Sequence, residues 1–481
     1  MLQILTILFP VIAGTAVSRM KISGEKYRNV LYTVVLVVTD IFCLFTMLFA
    51  GRVSLFTIAS GTSLAFAPDP LGRFCLAAVM LLYTAVCFYS FEYMKMEERP
   101  EVFFAFFFIS FGALIAVCLS ANLVTLYFCF ELATLTSVPL VLHEMTKEAV
   151  AAGLKYLFYS IGGALIGLLA VFFVHYYAAG DVTFRLGGFV DPGKMAGAEG
   201  IFLAAVFIGI VGFGTKAGMY PMHGWLPTAH PIAPAPASAL LSGIIAKAGV
   251  IAIIRLVYYS VGAQLLRGTW VQYAWMGIAM LTIFMGSMMA FREKIVKKRL
   301  AYSTISQISY ILLALSTLSE NGLKGGLIHL LSHAASKGCL FLTAGIFIYK
   351  LGIREVGQLR GIGKKMPVTM WCFMIAALSL VGIPPMGGFL SKWVIAGAVI
   401  QNGEGILSVL PCVVLLISAL LTAGYLFPIA IDAFFPGKDR EGEEETADCE
   451  PPLLMTAPLA VLCAAALAAG VFGLSLVRSI P

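Results

Sequence analysis

Ser242-Gly-Ile-Ile-Ala-Lys247-Ala-Gly-Val-Ile-Ala-Ile-Ile254 sets one ammonium group in the middle of an apolar run that extends over 237–261. A spanning helix needs about twenty mostly apolar residues, so this run is long enough to cross a bilayer. A lysine at the centre of such a helix costs roughly 2.5–3.5 kcal/mol on insertion scales. The rest of the chain decides whether the bilayer is the right solvent. Of its 481 residues 60 % are apolar and 12 % charged, with mean hydropathy +0.95. A soluble chain carries about a quarter charged residues, and this one could not cover a globule with polar surface. Comparable runs lie at 2–18, 29–50, 70–91, 102–120, 122–142, 150–178, 200–221, 270–290, 300–318, 323–349, 367–399, 405–435 and 453–477. The sequence therefore predicts an all-α polytopic membrane protein of about fourteen transmembrane helices.

Between the second and third runs, residues 52–67 alternate in polarity around Gly61, which predicts a short hairpin on one membrane face. The acidic tract Lys438–Glu450 reads as a solvated loop. Residues 2–17 have no basic leader; Arg19 and Lys21 follow the run, which marks a retained helix and not a cleaved signal. The net charge of +7 sits in a few loops, so it reports membrane orientation and not nucleic-acid binding. Arg19, Lys21, Lys26 and Arg28 fall between helices 1 and 2. Arg292, Lys294, Lys297, Lys298 and Arg299 fall between helices 9 and 10, and Lys350, Arg354, Arg360, Lys364 and Lys365 between helices 11 and 12. With fourteen helices these loops share one side, the cytoplasmic one, and both termini lie outside a plasma or inner membrane. Ten cysteines are scattered singly and without CxxC spacing, so they read as small buried side chains.

Three short matches recur in the same order. Pro221-Met-His-Gly-Trp-Leu226 resembles Pro385-Met-Gly-Gly-Phe-Leu390, Lys155-Tyr-Leu-Phe resembles Lys337-Gly-Cys-Leu, and Ser238-Ala-Leu-Leu resembles Ser418-Ala-Leu-Leu; the shifts are 164, 182 and 180 residues. Two copies of five helices each, helices 4–8 and 9–13, would be inverted relative to one another, as in many transporters. The expected division is 1–101 for helices 1–3 and the hairpin, 102–262 and 263–436 for the two repeats, and 437–481 for the acidic loop and helix 14.

Five ionisable residues lie well inside apolar runs: Glu131, Lys216, Lys247, Lys337 and Lys392. Left unpaired in lipid, five such groups would together rival the stability of an ordinary domain, about 5–15 kcal/mol. They must face a hydrated interior or each other, and the default meaning of such groups is an ion or proton pathway. Lys155, near the start of its run, reads more readily as an anchor that snorkels to the headgroups. His329, His333 and Lys337 are spaced i, i+4, i+8, which lines them along one helix face. Histidine titrates near neutral pH, so this row suits a proton wire. With no cysteine or carboxylate beside it, the row does not suit a metal. Lys216 and Lys392 also sit beside breaks, at Gly218-Met-Tyr-Pro221 and Gly382-Ile-Pro-Pro-Met-Gly-Gly388, which predict that helices 7 and 12 unwind at mid-membrane. Desolvation disfavours a charged lysine and a nearby carboxylate favours it. Glu131 near Lys216 would hold that lysine charged, and separating the pair would release its proton toward Lys247.

At Gly214-Thr-Lys-Ala-Gly-Met-Tyr-Pro-Met-His-Gly-Trp-Leu-Pro-Thr-Ala-His230 the sequence resembles the antiporter-like subunits shared by respiratory complex I, Mrp-type multisubunit cation/proton antiporters and membrane-bound hydrogenases. The resemblance runs over about 65–430. It implies a fourteen-helix fold with inverted five-helix repeats and discontinuous helices 7 and 12. It implies that Glu131 is the helix-5 glutamate, Lys216 its helix-7 partner, Lys247 the central lysine of helix 8 and Lys392 the terminal charge of helix 12. His329, His333 and Lys337 look like the polar row of helix 11, and His230 would join the hydrated axis. Lysine at 392 is unlike the complex I branch with glutamate there, and the helix-11 row resembles the Mrp D-type and hydrogenase-type subunits. The implied partners are other membrane subunits of an Mrp-, hydrogenase- or complex I-like assembly, with H⁺, or H⁺ and Na⁺, as the ions.

An enzyme would need a polar loop constellation such as paired Asp or HExxH, and the sequence has none. It also has no nucleotide loop, haem motif, iron–sulfur ligand set or metal site, so no cofactor is expected and redox chemistry would belong to partner subunits. A scaffold that conducts nothing is the third reading; it predicts that Lys216→Ala and Lys247→Ala change assembly but not ion flux.

Overall fold

The computed structural model describes residues 1–20, 24–59, 62–403, 405–437 and 449–480. Along these the chain forms α1 (Leu2–Arg19), α2 (Glu25–Phe49), a hairpin of β1 (Val53–Ala59) and β2 (Thr62–Phe66), α3 (Pro70–Tyr93), α4 (Pro100–Leu119), α5 (Leu123–Val141) and α6 (Lys147–Tyr176). There follow α7 (Glu199–Ala217), α8 (Leu226–Ile232), α9 (Ala235–Val261), α10 (Trp270–Arg292), α11 (Val296–Ser316) and α12 (Glu320–Leu351). The last stretch holds α13 (Pro367–Val381), α14 (Gly387–Asn402), α15 (Ile406–Phe434) and α16 (Leu453–Val471). Twelve of the described helices are long and apolar enough to cross a membrane. α11 and the broken pair α13–α14 supply the remaining two of the fourteen expected segments. α11 misses the apolar criterion because it buries Ser303, Thr304, Ser306, Gln307 and Ser309 along its length.

α9 is the centre: every residue of it is buried, whereas α1, α2 and α15 leave most of their residues toward the outside. α12 packs on α9, α11, α13, α14 and α16, and α7 packs on α6 and α9. Gly249 permits that last contact, because a Cβ there would meet the Phe213 carbonyl at 2.5 Å and Lys216 Cβ at 3.2 Å. The hairpin lies over the α4–α5 link, where Ala65 donates its N–H to Thr125 Oγ1 (3.0 Å) and Ala67 to the Leu119 carbonyl (2.7 Å). Gly61, Lys21 and residues 438–448 of the acidic tract lie outside the described residues. Glu450, the end of that tract, is a half-buried loop residue whose carboxylate accepts from the N–H groups of Val368 (3.0 Å) and Thr369 (2.9 Å) at the start of α13.

Both expected breaks are present. α7 stops at Gly218, whose φ of +78° ends the helix without strain only because it has no Cβ, and the chain turns before α8. α13 stops at Gly382 (φ +95°) in the same way. α9 departs from the expected uniform helix. Leu241–Ile245 and Arg255–Val261 are π-helical turns, a wider winding frequent at functional sites.

Candidate functional site: a buried series of lysines and histidines

Lys216, on the last turn of α7, is 1 % exposed. Its ammonium donates to Thr134 Oγ1 (2.6 Å) and the Phe130 carbonyl (3.3 Å), and stands 4.5 Å from the centre of the Phe130 ring. All three contacts come from α5, the helix of Glu131. The expected close pair is not formed: Glu131 and Lys216 make no ion pair within 4.0 Å, and the carboxylate instead accepts from the Tyr127 hydroxyl (3.5 Å). Glu131 is half-buried and one residue along from Lys216's backbone partner, so it acts on Lys216 through space.

Lys247 is wholly buried and joins two helices. Its ammonium meets the Ser242 carbonyl (2.5 Å) in the π turn of α9 and His333 Nδ1 (2.7 Å) on α12. A hydrogen bond to an imidazole nitrogen lets one proton be shared between the two bases. One turn toward each end of α12 the row continues. His329 lies with its ring 6.1 Å from that of His333, and Nδ1 of His329 is 2.8 Å from Ser391 Oγ on α14. In the other direction Lys337 donates to the Leu300 carbonyl of α11 (3.1 Å). The spacing of these three residues thus places them along one buried face, as read from the sequence.

Lys392, next to Ser391, lies 5.0 Å from the Tyr310 ring, which is itself 5.4 Å from His329. Its ammonium donates to the carbonyls of Leu380 (2.6 Å) and Val381 (2.8 Å). His230, on α8, is wholly buried and stacked on Phe341 at 4.7 Å. It lies in electrostatic reach of Lys247, Lys297 and Lys337, and neither ring nitrogen has a hydrogen-bond partner among the described residues. Lys155 is half-buried, and its ammonium donates to Thr228 Oγ1 of α8 (2.9 Å).

The structure therefore brings Lys247, Lys337, His333, His329, His230 and Lys392 into one series and leaves Lys216 with Glu131 as a separate unit against α5. Around the series runs a network of hydroxyls. The Tyr310 hydroxyl donates to Ser418 Oγ (2.6 Å), which bonds Ser287 (2.6 Å) and Ser306 (3.1 Å), while Ser242 Oγ meets Thr304 Oγ1 (2.7 Å). The density of hydroxyls in Tyr302-Ser-Thr-Ile-Ser-Gln-Ile-Ser-Tyr310 was the available sign of this network.

Three further ionisable residues belong with the five picked out from the apolar runs. Arg255, 1 % exposed, lies between the rings of Phe184 (4.7 Å) and Tyr259 (4.8 Å) and makes a bidentate pair with Asp69 (2.5 and 2.6 Å). Asp69 also caps α3 through the Gly72 N–H, so this pair is structural. Asp40 on α2 accepts from Thr84 Oγ1 (2.8 Å) at the wall of an apolar cavity of about 530 Å³ bounded by α3 and α16. Lys297 lies at the start of α11, 5 % exposed. Among the described residues no group of three or more His, Cys, Asp or Glu is placed to hold a metal ion.

Residues 120–418 match the protein family described as NADH:quinone oxidoreductase/Mrp antiporter, transmembrane. The chain is 31 % identical to NADH-quinone oxidoreductase subunit N of Desulforudis audaxviator, over 86 % of this chain and 83 % of that one. It is 33 % identical to hydrogenase-4 component B of Escherichia coli over 68 % of this chain, and spans about half (49 %) of that protein's length. The Mrp complex of Dietzia sp. DQ12-45-1b contains a chain of the same fold, with TM-score 0.82 at 22 % identity, covering 99 % of this chain and 96 % of the other.

Proposed function

We propose that this chain, which belongs to the NADH:quinone oxidoreductase/Mrp antiporter transmembrane family, translocates protons, or exchanges sodium ions for protons, as one subunit of a larger membrane complex. The observation that carries the reading is the Lys247–His333 contact, two nitrogen bases 2.7 Å apart with no exposed surface, at the centre of a series that runs from buried Lys337 to half-buried Lys392. In a low-dielectric interior an ammonium and an imidazole in contact cannot both be charged without large cost. A charge arriving at one end of the series therefore displaces a proton at the next base. Glu131 and Lys216 supply a second, lateral element. Motion of Lys216 between Thr134 and the Glu131 carboxylate would switch its charge and so bias Lys247, whose helix packs against α7 at Gly249.

Within this reading helices 4–8 (102–262) and 9–13 (263–436) are two inverted repeats. The basic loops 1–2, 9–10 and 11–12 are cytoplasmic, and both termini lie outside the cell membrane. The partners are the other membrane subunits of an Mrp-, hydrogenase- or complex I-like assembly. A second reading, a membrane subunit of an NADH:quinone oxidoreductase, is favoured by the subunit N relative, whose length this chain spans by 83 %.

The test is ion flux in inside-out vesicles that carry the assembled complex. Lys247→Ala is expected to slow flux by roughly 10²-fold or more while complex abundance stays normal. Undiminished flux in that variant would support the non-conducting scaffold instead.

A further inference from the structure

The series needs a connection to a membrane face, and Lys297 points to one. In the sequence it is one of five basic residues in a loop. In the structure its side chain turns inward, and its ammonium donates to the Ala233 carbonyl (2.5 Å) in the two-residue link between α8 and α9. Three residues before Ala233 is His230, with its two orphaned ring nitrogens, in electrostatic reach of Lys297, Lys337 and Lys247. Buried polar atoms without protein partners are where a protein holds water. Outward of Lys297 lie Glu97 in the α3–α4 link, Glu144 in the α5–α6 link and Arg354 beyond α12, all within its electrostatic reach. Tyr93, at the end of α3, faces the same two acids and the arginine. Among the described residues the charged groups that act on Glu97 are Glu144, Lys297 and Arg354.

We propose that Glu97, Lys297 and His230 form the intake through which protons pass from the membrane face of the α3–α4 and α5–α6 links to Lys337 and Lys247. The proposal rests on the translocation reading above. The Lys297 ammonium releases a proton to an imidazole nitrogen of His230, which passes one on to Lys337 or Lys247 once that lysine is unprotonated, and the amine left at Lys297 takes the proton held on the Glu97 carboxyl. Each donor then takes up a new proton from its outer neighbour, so only O–H and N–H bonds form and break.

Two features suit this cluster to protons and not to a resident sodium ion. Glu97 and Glu144 face the cations Lys297 and Arg354, so the site has no surplus of negative charge to hold Na⁺. Glu97 is also half-buried; burial first, and Glu144 second, push its carboxyl up to about 6, against the pull of Lys297 and Arg354. An acid in that range both binds and releases protons near neutral pH, which an ordinary surface glutamate does not.

The experiment measures proton flux from pH 5 to 8 in inside-out vesicles that contain the whole complex, for the native chain and for Glu97→Gln, Lys297→Arg, Lys297→Met and Lys247→Ala. Glu97→Gln is expected to slow flux by about tenfold and to remove the inflection near pH 6 from the rate profile. Lys297→Arg keeps the positive charge and a donor for Ala233 but cannot release its proton, so it should slow flux by roughly 10²-fold with normal assembly. Lys297→Met should be at least as slow; if it fails to assemble, the other two variants still decide. Native rates and a native pH profile in Glu97→Gln and Lys297→Arg, with flux lost in Lys247→Ala, would overturn the intake and leave the translocation reading standing. Full flux in Lys247→Ala would overturn both.

Discussion

The two helix breaks solve one backbone problem with different chemistry. Each ends a helix inside the bundle and leaves carbonyls that need donors from elsewhere in the chain. At the end of α7 the donor is neutral: Trp225 Nε1 reaches the Thr215 carbonyl at 2.9 Å, and its indole is held by stacking on Tyr156 at 4.5 Å. At the end of α13 the donor is charged: Lys392 serves the carbonyls of Leu380 and Val381, where the helix dipole favours a cation. The lysine beside the first break is therefore spared a structural duty. Lys216 is held by one hydroxyl, one long carbonyl contact and a ring face, and is free to exchange partners. Lys392 is tied to the end of a helix, so its charge has a structural role beside the transport role proposed for it.

The largest contrast should come from replacing each lysine by methionine. Lys392→Met strands two part-buried carbonyls that were bonded to a charged group and should destabilise the assembled protein by about 2 kcal/mol. Lys216→Met removes a buried charge together with its desolvation cost, and should change stability by less than about 1 kcal/mol. Both should depress ion flux. Thermal unfolding of the purified complex, read alongside vesicle flux, separates the two effects. Equal destabilisation by both substitutions would end the distinction between a free and a tethered lysine. A smaller effect is expected at the neutral cap. Trp225→Phe keeps a ring against Tyr156 but leaves the Thr215 carbonyl with the Gly218 N–H (3.1 Å) in place of two donors, at a cost of under about 1 kcal/mol, and should leave the pH dependence of flux unchanged.

What the sequence revealed and what it hid follow a physical line. Apolar length is a local property, and it located every membrane segment to within a few residues. Glycine and proline are local too, and Gly218 with Pro221 and Gly382 with Pro385 marked both breaks. Partnerships are not local. Arg255 stands in Val-Ile-Ala-Ile-Ile-Arg-Leu-Val as plainly as Lys247 does, but its partner Asp69 is 186 residues away, and only the fold shows that the pair is a staple. Lys155 looked like an anchor because it lies near a helix start; Thr228, which draws it inward, belongs to the short helix after the break. Lys297 looked like an orientation signal because its neighbours Lys298 and Arg299 are basic, yet only its own side chain is drawn fully into the bundle. Glu131 and Lys216 were rightly placed on facing helices, but which hydroxyl or carbonyl takes the ammonium is set by side-chain geometry that spacing does not encode. The π turn at Leu241–Ile245 left no sign, since it is a winding choice made by packing inside the most buried helix.

The contrast between the two broken helices extends to the far end of α13. There Glu450 takes up the N–H groups of Val368 and Thr369 and the Thr369 hydroxyl, although it lies more than eighty residues along the chain. α13 is thus held by an anion at its positive end and a cation at its negative end, both supplied from elsewhere in the chain, which is the favourable sense for a helix dipole at each terminus. A 15-residue helix is marginal alone in water, and these two charges offset part of that weakness. Glu450→Gln keeps an oxygen acceptor but removes the charge, so it should destabilise by about 0.5 kcal/mol, the smallest effect in this set. Because Glu450 binds the exposed start of α13 while the Lys392 ammonium is turned onto part-buried carbonyls, added salt should erase the difference between Glu450→Gln and the native protein and leave most of the Lys392→Met penalty in place. Unfolding measured at low and high ionic strength checks this. Identical salt sensitivity at the two ends would show that hydrogen-bond geometry, and not charge against the dipole, is what holds this half-helix at its surface end.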